Sequence, residues 1–374
     1  MGPPLLAEPT ASGLYSRFPG GTVTTVYSFC SQPNCTDGDD VAAGLTQATD
    51  GDFYGTTGFG GNIDCEYPNG CGTVFRVTAG GALRTLHTFE LVDGDEPRGT
   101  LLQATDGNFY GTTSFGGNHL FGHINLLGTV FRITAGGKLT TLYNFGGPDG
   151  DSPFGGLTQG TDGNFYGTTS FGGDPTCNAP HGCGTVFRIT PTGTLTTLHR
   201  FEMTDGALPA GGLIQATNGN FYGTTNGGYL CGAACGTVFM ITPGGSLTTL
   251  HNFNGADGSE PNGGLVQATS GVFYGTTGSG GTNGSGTVFS LSTGLEPFVA
   301  LVRSSGKIGQ TGGILGQGFT GTTSVSLNGT PAAFTVASDT YITATIPPGA
   351  TTGYVTVTTP SGTLTSNVRF RVLR

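Results

Sequence analysis

The residues best suited to chemistry in this chain are its acids and cysteines, and most of them recur at fixed intervals. An acidic phrase returns five times, as Asp37-Gly38-Asp39, Asp93-Gly94-Asp95, Asp149-Gly150-Asp151, Asp205-Gly206 and Asp257-Gly258, and Pro97, Pro153, Pro209 and Pro261 follow four of the copies. Two readings fit. Calcium is a hard cation that takes six to eight oxygens, and Asp93, Asp95, Asp149 and Asp151 would supply carboxylates for a structural ion. Alternatively, the Asp accepts a backbone hydrogen bond, the Gly takes positive φ and the Pro fixes the exit of a turn. No copy carries the full ligand ladder of a calcium loop, so the turn is preferred and no cofactor is required.

The eight cysteines form four local pairs: Cys30/Cys35, Cys65/Cys71, Cys177/Cys183 and Cys231/Cys235. Three pairs share one repeat position, and the repeats that lack the pair lack both members. Disulfides predict this joint presence or absence. Zinc favours CxxC pairs converging from two segments, which is not the pattern here. Short disulfide loops point to an oxidising compartment.

Other candidates break the repeat. Tyr67, Phe121 and Tyr229 lie in loops and could stack on sugar rings, and His119 and His123 share a long loop whose Gly122 argues against a helical metal site. These five are the candidate ligand-binding residues. Asp64, Glu66, Glu90 and Glu202 could supply a carboxylate pair for glycoside chemistry. Gln47, Gln103, Gln159, Gln215 and Gln267 return in every unit. They would either ring a central channel or, as preferred here, make one repeated hydrogen bond between neighbours. His87, His199 and His251 alternate with Tyr27 and Tyr143 and read as packing positions. No GxSxG elbow, HExxH or phosphate loop is present, so no catalytic residue is assigned and a non-enzymatic role is favoured.

The elements that must position these residues are repeats. The phrase DGDFYGTT begins at Asp50, with copies at Asp106, Asp162, Asn218 and Ser270. GTVF begins at Gly72, Gly128, Gly184, Gly236 and Gly286. LTTLYNF at Leu139 has copies at Leu83, Leu195 and Leu247, and an outlying copy, VTTVYSF, at Val23. Each unit reads as four short strands joined alternately by tight Asp-Gly or Gly-Gly turns and by longer loops. Phe and Tyr are adjacent in FYGTT, as are Val and Phe in GTVF, so both faces of each sheet carry apolar side chains and both must be covered. Sheets stacked around an axis meet this demand. The expectation is an all-β chain: a five-bladed β-propeller over residues 21–294, four strands per blade, closed by residues 23–29 pairing with the last sheet. An extension, 1–20, precedes it. Because alternate connections share a side, the long loops and all the cysteines fall on one face, the candidate binding face.

From residue 296 the pattern changes to alternating Thr and Val with Asn-Gly and Pro-Gly turns, which predicts a small antiparallel sandwich over 296–374. Through Gly318, Phe319, Leu327, Asn328, Gly329, Ile346 and Pro347 this stretch resembles an IPT/TIG immunoglobulin-like domain. The repeats, through DGNFYGTT and GTVFRIT, resemble the GloVer tandem repeats of bacterial surface proteins and are similar in rhythm to NHL-type blades. The resemblance implies a bacterial extracellular protein, with the IPT/TIG module as spacer or interaction domain.

Composition narrows the function. With 13 basic and 23 acidic residues the net charge is −10, and the chain has only two lysines, Lys138 and Lys307. Phosphate neutralisation, and with it nucleic-acid binding, is disfavoured. No apolar run approaches the roughly 18 residues that span a bilayer, so membrane insertion is not expected. The first twenty residues do not form an intact signal peptide, and an export signal is expected to have been removed or to lie outside this sequence. Three functions remain: an extracellular binding or adhesion protein recognising a glycan or surface polymer, a secreted polysaccharide lyase or glycoside hydrolase, and a self-assembling surface-layer or filament subunit.

Overall fold

The computed structural model describes residues 13–17, 23–66, 68–117, 127–228 and 235–373, with the backbone alone for 13–17. Tyr67, His119, Phe121, His123, Tyr229 and Cys231 lie outside the described residues. The protein is all-β. Among the described residues the one helical element is a 3-10 turn at Pro33–Cys35, and no helix is long and apolar enough to cross a membrane.

The repeats form antiparallel sheets in sequence order. Sheet one is Thr46–Gln47, Phe53–Thr57, Thr73–Val77 and Leu83–Thr88. Sheet two is Leu102–Gln103, Phe109–Thr113, Thr129–Ile133 and Leu139–Asn144. Sheet three is Thr158–Gln159, Phe165–Thr169, Thr185–Ile189 and Leu195–Arg200. Sheet four is Ile214–Gln215, Phe221–Thr225, Thr237–Ile241 and Leu247–Asn252. Sheet five has three strands, Val266–Gln267, Phe273–Thr276 and Val288–Leu291. The first two strands of each sheet join through a three-residue loop rather than the expected two-residue turn: Ala48 N donates to Asp52 O and Gly51 N to Ala48 O, and only the third loop residue, Gly51, Gly107, Gly163, Gly219 or Gly271, takes positive φ, which favours glycine.

Face-to-face stacking follows from the two-sided apolar pattern. Each sheet has a trailing face, bearing the Tyr of FYGTT and the Val of GTVF, and a leading face, bearing the Phe of both phrases. Tyr54 stacks on Phe109 at 4.0 Å, Tyr110 on Phe165 at 4.0 Å, Tyr166 on Phe221 at 3.9 Å and Tyr222 on Phe273 at 4.3 Å. The Phe that ends each fourth strand meets the next sheet, as Phe89 meets Phe131 and Phe253 meets Phe289. Each aromatic pair contributes ~0.5–1.5 kcal/mol beyond its area burial. The result is a propeller-like stack in which every junction has its own small core.

The closing strand departs from the sequence expectation. Residues Val23–Ser28 (β2) do not pair with sheet five; they pair with Gly13–Arg17 (β1), a segment expected to be part of an extension. Phe29 still packs on Phe75 of sheet one, as a fourth-strand Phe packs on the next sheet. The physical reason is that β1 offers β2 the same edge that a third strand would.

After residue 294 two four-stranded antiparallel sheets and a parallel pair, Ser305–Lys307 with Arg371–Leu373, surround a single core of Val299, Ile314, Phe319, Val325, Leu327, Ile342, Val357 and Phe370. Asn328 and Gly329, both with positive φ, make the tight turn between Ser324–Leu327 and Thr330–Pro331.

Candidate functional site

The recurring polar residues hold the stack together. Gln103 accepts from Thr49 N at 2.9 Å and donates to Thr49 Oγ1 at 3.3 Å, so it ties sheet two to sheet one. Gln159, Gln215 and Gln267 do the same with Thr105, Thr161 and Thr217. This is the inter-sheet bond preferred from sequence.

The first Asp of each acidic phrase caps a turn. Asp93 accepts from Glu90 N at 2.9 Å and bonds His87 Nε2 at 2.9 Å. Asp149 accepts from Gly146 N at 2.8 Å and from the Tyr143 hydroxyl at 2.5 Å. Asp205 and Asp257 pair in the same way with His199 and His251. Burial, followed by the bond to Asp149, pushes the Tyr143 hydroxyl well above its usual range. Asp93 and Asp149 are therefore turn caps, and Asp95 and Asp151 point elsewhere. Among the described residues no group of three or more His, Cys, Asp or Glu side chains is placed to hold a metal ion.

Disulfides Cys30–Cys35, Cys65–Cys71 and Cys177–Cys183 form as expected, and Cys235 is also disulfide-bonded. Cys65–Cys71 and Cys177–Cys183 stiffen loops between second and third strands, and Cys30–Cys35 stiffens the loop that leads into sheet one.

One non-repeating polar cluster lies on this long-loop face, between sheets one and two. Asp95 is 3% exposed, and its Oδ1 has no hydrogen-bond partner. Burial first, then the charges of Glu66 and Glu96 and a hydrogen bond with Glu66, push its carboxyl up to about 7. Glu66 reaches it from the Cys65–Cys71 loop. The Arg98 Nε donates to Glu96 Oε2 at 2.7 Å, its Nη1 lies 3.5 Å from Asp40 Oδ2, and its guanidinium lies 5.6 Å from the Phe59 ring centre. Sequence reasoning named Glu66 among repeat-breaking acids but set it beside Asp64. Its partner comes from a loop 29 residues further on, a juxtaposition that no local pattern carries.

The sequence also concealed a row of half-buried aromatics beside the cluster. Phe59, Phe115 and Phe171 follow the second strands of sheets one to three, at a position taken by Gly227 and Ser279 in sheets four and five. Phe115 meets Phe154 edge-on at 6.3 Å, and Phe171 meets the exposed His181 at 5.8 Å. Beside His181, burial raises the Asp151 carboxyl against the lowering effects of Ser152 and His181. The available signal was the phrase TTxFGG, present in three repeats and lost in two. Such a surface can bind: half-exposed rings stack on apolar sugar faces, while Arg98 and the acids hydrogen-bond hydroxyls.

The chain matches the family described as Gloeobacter/Verrucomicrobia repeat over residues 11–179 and 125–336. No curated protein matches it. Among solved structures it is similar to a gluconolactonase of Xanthomonas campestris, at 13% identity and TM-score 0.41, covering 83% of this chain and 88% of that one. It is also similar to a protein of unknown function from Dyadobacter fermentans, at 12% identity and TM-score 0.42, covering 66% of this chain and 77% of that one. Likenesses this distant carry no argument about activity.

Proposed function

The chain belongs to the Gloeobacter/Verrucomicrobia repeat family, and from that premise we propose that it is an extracellular or cell-surface binding protein that recognises a glycan or similar polymer through its long-loop face. The observation that carries this reading is the division of labour among polar groups. The recurring Gln and Asp residues are engaged in structural hydrogen bonds, while the aromatic row and the Arg98 cluster vary between repeats on one disulfide-stiffened face. The five repeat units act as propeller-like blades, and the C-terminal sandwich, read as an IPT/TIG-like module, acts as a spacer. Three disulfides support an oxidising, extracellular setting.

The Asp95–Glu66 pair favours a second reading, a secreted carbohydrate-active enzyme. A carboxyl that keeps its proton near pH 7 is what a general acid for glycoside chemistry requires.

Both readings are tested with a glycan array and a panel of polysaccharides applied to the full chain. Retention of a glycan that is weakened at least tenfold by Phe154→Ala, with unchanged thermal stability, supports the binding reading. Product release that is abolished by Asp95→Asn replaces it with the enzyme. Retention of no glycan refutes the proposed ligand class.

A further inference from the structure

The two ends of the stack of sheets are bare, and they are bare in complementary ways. On the trailing face the Tyr and Val positions are fully buried at the four internal junctions, at Tyr54/Val74, Tyr110/Val130, Tyr166/Val186 and Tyr222/Val238. On sheet five the same positions are Tyr274, 45% exposed, and Val288, 79% exposed, with Val266 beside them at 64%. Among the described residues the third strand of sheet five also has no fourth-strand partner. At the other end, the leading face of sheet one has its outer half covered by Phe29, the residue after β2, while Leu45 on its inner half is 37% exposed. The equivalents of Leu45, namely Leu101, Leu157, Leu213 and Leu265, are buried. Gln47 keeps the bond to the carbonyl of its own turn, at Gly51, that Gln159 and Gln215 also make, but among the described residues it makes no bond to a preceding sheet.

Among the described residues, one end therefore lacks a fourth strand and a following sheet, and the other carries a fourth strand and lacks a preceding sheet. The pairing of β1 with β2 shows the register in which they would join. Gly13↔Ser28, Tyr15↔Thr25, Ser16↔Thr24 and Arg17↔Val23 reproduce, including the register shift, the third-to-fourth strand pairs of sheet four: Thr237↔Asn252, Phe239↔Thr249, Met240↔Thr248 and Ile241↔Leu247. Thus β1 occupies the edge of β2 that a third strand would take. It does so in an isolated two-stranded sheet, which is marginal in water, whereas the third strand of sheet five would bring a complete four-stranded sheet.

We propose that the trailing face of sheet five docks on the leading face of sheet one in a second copy of this chain, with Val288–Leu291 displacing β1 from β2. Both faces stay bare within one molecule, so the occupant is a second copy and not the chain's own opposite end. The contact joins two different surfaces, so it is heterologous and propagates head to tail. It continues the Tyr-on-Phe, Gln-to-Thr junction already made four times inside the chain, with Tyr274 on Phe53 and Gln47 against Thr269.

The test pairs Thr24→Cys with Ser290→Cys, exposed positions that this register sets opposite each other, on separate molecules of the full chain. After mild oxidation of the mixture, a non-reducing gel is expected to show a covalent heterodimer, and a chain carrying both substitutions is expected to give a ladder of multimers. Light scattering of the unmodified protein should show a mass that rises with concentration, and Val288→Glu, a change at a residue already exposed, should hold it at 37.8 kDa. A cross-linked species of monomer mass in the double variant would show that the chain closes on itself and would overturn the proposal. Absence of any cross-link, together with a constant monomer mass, would also overturn it.

Discussion

Replacing Asp95 by Asn should uncouple the stability of the first inter-sheet junction from pH. In the folded chain the carboxyl is raised from 3.8 to about 7, by burial first and by Glu66 and Glu96 after it. A raised acid is a folded-state liability once it must ionise. Below about pH 4 both states are protonated and no penalty exists. Between that value and about 7 the unfolded chain releases a proton that the folded chain retains, so stability falls as pH rises; above about 7 the loss is complete. A rise of about three pH units at 1.36 kcal/mol each sets a ceiling of about 4 kcal/mol. Urea unfolding across pH 4 to 8 would measure it. The parent and Asp95→Asn should be similar at the acid end, and the variant should gain on its parent steadily, by roughly 2–4 kcal/mol at the alkaline end. The difference between the two profiles cancels contributions from depressed acids such as Asp106 and Asp162. Glu66→Gln removes the nearest charge and should flatten part of the slope. Parallel profiles for parent and Asp95→Asn would refute the account of a buried, raised carboxyl, and with it the general-acid reading of this site.

Further outcomes follow from the repeated bonds. Gln159→Ala should destabilise by about 1–2 kcal/mol in thermal or urea unfolding because it strips two bonds to Thr105. Gln47→Ala, which loses only a bond to its own turn, should be close to neutral in the monomer. Replacing Cys177 and Cys183 together by Ser opens a six-residue loop and should cost about 2 kcal/mol by chain entropy. That effect should appear as faster proteolysis at the loop, with the sheets intact by circular dichroism.

Much of this molecule was legible before folding was considered. Adjacent Phe and Tyr in FYGTT, returning with GTVF, require sheets with two apolar faces, and only stacking keeps both faces dry. The Gly ahead of each FYGTT, after Asp, Asn or Ser, dictates the tight turn, and the joint presence of paired cysteines dictates the disulfides. The recurring Gln and Asp read correctly as structural because each recurs with its partner at a fixed interval. Tertiary structure alone decided the rest. The meeting of Asp95 with Glu66 depends on two loops from successive units folding toward each other. The partner of β2 turned on a competition that repeat counting does not register: Gly13–Arg17 has drifted too far from GTVF to be recognised as its copy, yet its backbone offers β2 the same hydrogen-bonding edge in the same register. Strand pairing is made by main-chain groups common to every residue, so side-chain phrases reveal which segments form strands, while the choice among competing edges is settled only when the chain is folded.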